Sequence, residues 1–266
     1  MKKSKFHNDE ILEKFGKLED KKYIAVMDLE MTCWNTGSWD YKPRSKMEIT
    51  EIGIEVLDLD YNVVSTHSET VKPIYYPILS DYCKELTGIS QEEIQGSRNL
   101  SLVSAKLAEQ LPDSKEFVWA CWGRDAVWLQ DEIVAKSYRT KWKGYGHTEF
   151  DPRSINVKLC YGKRGGLKKA LEFHKLEQVE PAHRALSDAQ STSKLVKKLK
   201  LSPLDAQVSN DKTYREALNR ERSDMLEKLK KQTKIANEEL VYKVFKYVKW
   251  DYQMAKNVLN ATKLHK

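Results

Sequence analysis

Followed by its apolar and polar positions, the chain opens on about 22 mixed, charged residues and then turns abruptly apolar. Tyr23-Ile24-Ala25-Val26-Met27 is a run of strand length that stops at Asp28. Ile49 to Leu59 alternates well enough for a second strand. Asp60-Tyr61-Asn62 reads as a turn, and Val63 to Val71 as the returning strand of a hairpin. Beyond Pro73 and Pro77 the chain is polar, and Ser90-Gln91-Glu92-Glu93 has the form of a capping box that opens a short helix. Leu102, Ala105, Leu107, Ala108 and Leu111 recur at helical spacing. Phe117 to Ala120 is another short apolar strand, leading through Gly123-Arg124-Asp125 into a helix over about 126–135. Residues 139–150 are basic, aromatic and glycine-containing, so a loop is expected, with helices following over about 166–173 and 184–199. A strand meander followed by alternating strand and helix predicts an α/β domain with a mixed sheet.

After Lys200 the character changes. Ser202-Pro203 punctuates the chain, and everything to Lys266 then reads as helix. Residues 213–231 are highly charged, and two apolar stripes follow: Leu240, Val241, Val244, Phe245 and Val248, then Met254, Ala255, Val258 and Leu259 behind the N-cap candidate Asp251. Three regions are therefore expected: a polar arm over 1–22, loose or forming a short helix; an α/β domain over 23–200; and a basic helical extension over 201–266.

The charge supports that division. Of the net +7, five units fall in residues 201–266, which hold 14 Lys/Arg against 9 Asp/Glu. A polyanionic partner and a solvated charged helix both fit this excess. No apolar run reaches the roughly 18–20 residues of a membrane-spanning helix, so no membrane partner is expected. The first 22 residues hold no apolar stretch of the kind a secretory signal needs. Cys33, Cys83, Cys121 and Cys160 lie far apart with no C-x-x-C pair, which predicts reduced thiols and a cytoplasmic protein.

Three segments carry candidate chemistry. Asp28-Leu29-Glu30 ends a buried strand, and side chains two apart on a strand share a face, so both carboxylates can turn to one site. Asp58-Leu59-Asp60 has the same spacing but sits at a turn. In Trp122-Gly123-Arg124-Asp125 a carboxylate stands between a strand and a helix, where open α/β sheets place their sites. His183 lies on a loop after Pro181-Ala182, with Asp188 in the first turns of the next helix. Taken singly, a strand-end acid, a helix cap and a surface histidine each have ordinary structural explanations. Their conjunction points further. Hard divalent cations prefer clustered oxygen ligands, and a pair of them clamps both oxygens of an in-line phosphoryl displacement. An imidazole is the side chain best matched to activating water near neutral pH.

The order D-x-E, W-G-x-D, H-x-x-x-x-D resembles the three exonuclease motifs of the DEDDh superfamily of 3′–5′ exonucleases. The resemblance runs from Tyr23 to Leu199, about two thirds of the chain. Within the superfamily it is most similar to the enhanced-RNAi and histone-mRNA 3′-exonuclease group and its bacterial relatives. The residues that carry this likeness are Asp28-Leu29-Glu30-Met31-Thr32-Cys33-Trp34, Glu48-Ile49-Thr50-Glu51-Ile52-Gly53, and Leu79-Ser80-Asp81-Tyr82-Cys83 with Leu86-Thr87-Gly88-Ile89. Gly166-Leu167, Ala170-Leu171 and His183-Arg184-Ala185-Leu186 extend it.

The resemblance implies an RNase H-like fold, a mixed five-stranded sheet flanked by helices, with the exonuclease domain spanning 23–200. It implies two Mg²⁺ (or Mn²⁺) ions held by Asp28, Glu30, Asp125 and Asp188, with His183 taking the proton of the attacking water and Glu30 sharing in catalysis. Tyr82 and Leu86 would sandwich the terminal base and the backbone at Met31 would touch the terminal sugar, although both side chains also fit a core. The activity implied is removal of nucleoside 5′-monophosphates from the 3′ end of single-stranded RNA, with DNA as the rival substrate and a non-catalytic RNA-binding adaptor as the rival class. The chain departs from the family in having Ser187-Asp188 where two acids are common; the spacing from His183 still selects Asp188. With about 22 residues before the first strand, the animal members' N-terminal nucleic-acid-binding module is not expected, nor is recognition of a specific RNA stem-loop. The stretches between Trp34 and Glu48 and over 141–145 interleave aromatic and basic residues, a composition suited to single strands. The C-terminal helices would grip RNA, oligomerise or take a protein partner.

Overall fold

The computed structural model describes residues 8–35, 47–139, 151, 153–163 and 165–208, with 227, 230–232, 240, 241, 244, 256 and 259 of the C-terminal segment. The two aromatic, basic stretches lie almost wholly outside these residues, as do most positions of the two C-terminal apolar stripes.

A helix, α1 (Asn8–Phe15), and a short 3-10 turn (Leu18–Asp20) precede β1 (Tyr23–Met31). The hairpin β2 (Ile49–Asp58) and β3 (Val63–Lys72) follows where the alternation predicts it. Next come α2 (Asp81–Thr87), α3 (Gln91–Gly96), β4 (Arg98–Asn99), α4 (Leu100–Gln110), β5 (Phe117–Cys121) and α5 (Asp125–Arg139). The domain closes with β6 (Arg153–Asn156), α6 (Val157–Tyr161), α7 (Leu167–Phe173), α8 (Ala185–Leu199), a second 3-10 turn (Pro203–Asp205) and β7 (Gln207–Val208). The capping box expected at Ser90 is present: Ser90 Oγ accepts from the Glu93 N–H at 3.1 Å, and the Glu93 carboxylate accepts from the Ser90 N–H at 2.7 Å.

Five strands make the body of a mixed sheet, in the order β3-β2-β1-β5-β6, and the two-residue strands β4 and β7 extend its edges. β1 pairs antiparallel with β2 and parallel with β5; β5 pairs parallel with β6. The alternation of β1 sorts its side chains between two cores. Ala25, Met27 and Leu29 face one side, against Leu100, Val103 and Leu107 of α4 and Leu129 and Ile133 of α5. Ile24 and Val26 face the other, against Ala170 and Leu171 of α7 and Leu195 and Val196 of α8. Asp28 and Glu30 continue that second series, so the pleat alone turns both toward α8.

Two expectations shift. The N-terminal segment is tied into the domain rather than standing apart as an arm: Ile11 and Phe15 are buried, and so is Lys21. The Lys21 ammonium donates to the Phe15 and Ser114 carbonyls, both at 2.9 Å, and pairs with Asp151 at 3.1 Å. Asp151 in turn accepts from the Arg153 backbone N–H and from Nε and Nη2 of its guanidinium, at 3.0, 2.9 and 2.7 Å. Burial pulls the Lys21 pKa down and Asp151 holds it up. The boundary drawn at 200 also moves. Leu201 and Ala206 belong to the α8-side core, and the chain divides into compact units of Met1–Ser209 and Asn210–Lys266. Within the second unit, Val241 and Leu259 are helical and fully buried. Among the described residues no helix is long and apolar enough to cross a membrane.

Replacing Asp151 with Ala strands the buried Lys21 and Arg153 cations. A loss of about 3–5 kcal/mol is expected, measured as a lowered urea midpoint with the slope unchanged. A midpoint within experimental error of the wild type would mean that the triad does not hold the N-terminal segment in place.

Candidate active site

The site is assembled around the start of α8. Gly53 of β2 stands opposite Asp28 in the antiparallel ladder. A Cβ on Gly53 would lie 2.1 Å from the carbonyl carbon of Ala185 and 2.1 Å from the amide nitrogen of Leu186. Only a residue without a side chain lets the backbone of α8 come down on the sheet there.

Two residues away, Glu51 locks that approach. It pairs with Glu30 across the ladder and is 1% exposed. Its carboxylate accepts the Ala185 N–H at 2.8 Å, one of the free amides of the helix start, and takes Arg184 Nε and Nη2 at 3.0 and 2.7 Å. The Arg184 guanidinium also reaches Glu93, at 3.4 Å.

This docking presents His183 on one side of the junction and Asp188 on the other. His183 is exposed and takes a left-handed backbone, φ +61°, uncommon outside glycine. Its N–H donates to Asp188 Oδ2 at 3.3 Å, and Gln178 Nε2 donates to Asp188 Oδ1 at 3.3 Å. The candidate ligand atoms of Glu30, His183 and Asp188 all lie within 4.8 Å of one another. Asp125 arrives from β5. It opens α5, is 8% exposed, and follows a turn steadied by Asn156 Nδ2 donating to the Gly123 carbonyl at 3.0 Å.

The electrostatics of the cluster follow from crowding. Burial raises the Asp28 carboxyl well above its ordinary pKa, and the charges of Asp125, Asp188, Glu30 and Glu51 raise it further. Glu30 is pushed to about 8, by burial first and then by Asp188 and Glu51. Asp125 is pushed to about 6 by burial, with the backbone N–H groups of Asp125 and Gly123 pulling back. Burial likewise raises Asp188, opposed by the Gln178 hydrogen bond and by His183. Such a knot of oxygen donors with mutually unfavourable charge fits a hard divalent cation, whose binding would relieve the repulsion.

Met31, Tyr82 and Leu86 gather at the same end of β1. Tyr82 and Leu86 lie one turn apart on the outer face of α2, with Tyr82 40% exposed, while Cys83 and Thr87 turn inward. Cys83 Sγ donates to the Met31 carbonyl at 3.6 Å, joining α2 to the end of β1. Glu48 steadies the neighbouring segment, its buried carboxylate accepting from the Ile74, Tyr75 and Tyr76 N–H groups at 2.9, 2.7 and 2.8 Å. Sequence reasoning passed over Glu48, Glu51, Asn156 and Gln178 as working residues. For Glu51 a signal was present, because a charged residue inside a largely apolar strand must find a partner, whereas Glu48 lies just before β2.

A mixed sheet with acidic side chains from its central strand and from two helix starts defines an RNase H-like nuclease domain. The chain belongs to the RNase_T exonuclease family, whose model matches residues 25–196. It is 27% identical over 202 residues to "ERI1 exoribonuclease 2" of Xenopus laevis, a match covering 66% of this chain but 28% of that protein. To "Probable 3'-5' exonuclease KapD" of Bacillus subtilis it is 29% identical over 217 residues, 79% of this chain and 98% of that one. Its fold is similar to the nuclease domain of 3'hExo, a DEDDh family member solved bound to rAMP. The TM-score is 0.58 at 19% identity, over 71% of this chain and 97% of that one. Exonucleases of this type use divalent metal ions.

Gly53→Ala tests the docking of α8. The added methyl meets backbone rather than a side chain that can swing away, so a cost at or above the roughly 1–3 kcal/mol of ordinary overpacking is expected. Thermal melting should show the loss. A variant with wild-type melting would place α8 further from β2 than described.

Proposed function

We propose that this chain is a metal-dependent 3′–5′ exonuclease that releases nucleoside 5′-monophosphates from single-stranded RNA. The observation that carries the reading is the meeting of Glu30, His183 and Asp188 within 4.8 Å, with Asp28 and Asp125 raising the local negative charge. Asp28, Glu30, Asp125 and Asp188 would hold two divalent cations, Mg²⁺ or Mn²⁺. Bound there, the ions would supply charge stabilisation at the phosphoryl group and acidify water. His183 takes the proton from the attacking water, and its exposure leaves the imidazole free to reach substrate. Tyr82 and Leu86 stack on the terminal base and Met31 borders the terminal sugar, so that only a free end fits. RNA is favoured by the names of the relatives, exoribonuclease among them. The basic excess in the C-terminal segment supports a role in holding the phosphate backbone. Four free cysteines support a reducing compartment, the cytoplasm.

Matched 3′-labelled RNA and DNA oligomers, single-stranded and with overhangs, test the reading in Mg²⁺ and in Mn²⁺. Labelled mononucleotides are expected, from RNA faster than from DNA, with circular and 3′-blocked strands resistant and EDTA abolishing cleavage. Asp28→Ala and Asp188→Ala should each fold and lose about a thousandfold in kcat or more, the several kcal/mol that a metal ion contributes. Full activity in either variant, or efficient cutting of a circle, would sink the assignment.

The raised carboxyls also set a stability profile. Glu30 keeps its proton up to about pH 8 in the folded chain but only to the ordinary carboxylate range when unfolded. Across that window the folded state binds more protons, so in EDTA its stability falls as pH rises. Saturating Mg²⁺ should abolish the fall. A cation-independent Tm profile from acidic to neutral pH would argue against ion binding at this cluster.

A further inference from the structure

Two of the four cysteines are held against each other. A single hydroxyl ties their backbones together: Ser80 Oγ donates to the Cys33 carbonyl at 2.6 Å and accepts the Cys83 N–H at 3.0 Å. Cys83 Sγ donates to the Met31 carbonyl at 3.6 Å, only two residues before Cys33. Cys83 is 1% exposed on the inner face of α2, within a small apolar cluster of Leu79, Ile89 and Ile94. Cys33 packs against the same cluster and is only partly buried, which leaves the pair open to a small solute from one side. The contact with Cys33 brings the Cys83 thiol down to about 7 and pushes the Cys33 thiol up, an asymmetry suited to one attacking and one resolving sulfur. Cys121 is buried in the core and Cys160 lies on α6, and among the described residues neither has a second thiol as hydrogen-bond partner.

We propose that Cys33 and Cys83 form a reversible disulfide when the protein meets a hydroperoxide, covalently joining α2 to the chain leaving β1. Whichever sulfur attacks first, the balance is the same. A thiolate takes one peroxide oxygen as the O–O bond breaks, giving a sulfenic acid and, with the thiol's proton, one water or alcohol. The second sulfur then displaces the sulfenic oxygen, the S–S bond forms, and that oxygen leaves as water with the second thiol proton. The two sulfurs lose two electrons and the peroxide gains them. The crosslink deprives the Met31 carbonyl of its S–H donor and holds Tyr82, beside Cys83, at a fixed distance from the end of β1.

The test is hydrogen peroxide titration of the full chain, followed by intact mass and non-reducing peptide mapping. A decrease of about 2 Da, for the two thiol hydrogens, is expected, with one linked peptide pair carrying Cys33 and Cys83 that dithiothreitol separates. The oxidised chain should melt higher than the reduced one, because the bond closes the loop between residues 33 and 83. Cys33→Ser should lose both the linkage and the gain in melting, and the wild-type peptide map decides the matter even if Cys83→Ser fails to fold. Oxygen adducts on Cys33 without a linkage, a link through Cys160, or a link between two chains would each overturn the proposal. None of these readouts depends on nuclease activity, so the proposed function stands or falls separately.

Discussion

The contact on which the site rests is the descent of the α8 backbone onto Gly53. A helix normally stands off a sheet by the length of its side chains, and at Gly53 that spacing collapses because a Cβ would sit 2.1 Å from helix backbone. Where the helix comes down, its unsatisfied amides need an acceptor away from water. Glu51, one pleat further along the same strand, provides one and brings Arg184 with it. His183 and Asp188 are then delivered to Asp28 and Glu30 from opposite sides of the junction. The glycine admits the helix, and the glutamate stops it from turning.

Three different local devices put carboxylates in one place. On β1 the two-residue pleat aims Asp28 and Glu30; at α5 the helix begins on Asp125; on α8 the acid sits in the first turn. Each device is rigid for its own reason, and none depends on a loop to hold an acid in position. Held there, the Asp28 and Glu30 carboxyls have raised pKa values, through burial first and the neighbouring charges second. Beneath the acids, β1 is anchored in two cores, through Ile24 and Val26 on one face and Ala25, Met27 and Leu29 on the other.

Much of this was legible in the sequence where periodicity was strong. β1, the β2–β3 hairpin, β5, α7 and α8 fall close to their predicted spans, since each shows either an unbroken apolar run of strand length, an alternating pattern or a helix-length segment bounded by turn residues. β6 was missed because Arg153–Asn156 is four residues long with Ile155 its one aliphatic side chain, and β7 because two residues carry no period at all. α2 escaped because its cues are a serine cap and Gly88 at φ +69°, flanking only seven residues. Lys21 looked like part of a solvated arm. Its burial depends on Asp151 and Ser114, partners that no local window contains. Motif spacing picked out the acids, whereas Glu51 and Gln178 act through contacts that exist only once the strands and α8 are packed.

The parallel pairing of β1 with β5, and the late position of α8 in the chain, carry a consequence for synthesis. A polypeptide leaving the ribosome exposes Asp28 and Glu30 early, when they are two acids on a strand with no neighbours of like charge. Asp125 joins them much later, and Asp188 only when nearly three quarters of the chain has emerged. The cluster is thus completed in the last step of domain folding, and a half-made chain still lacks His183 and Asp188. For a protein whose proposed substrate is RNA, that order of assembly withholds the full set of candidate site residues until the domain is nearly whole.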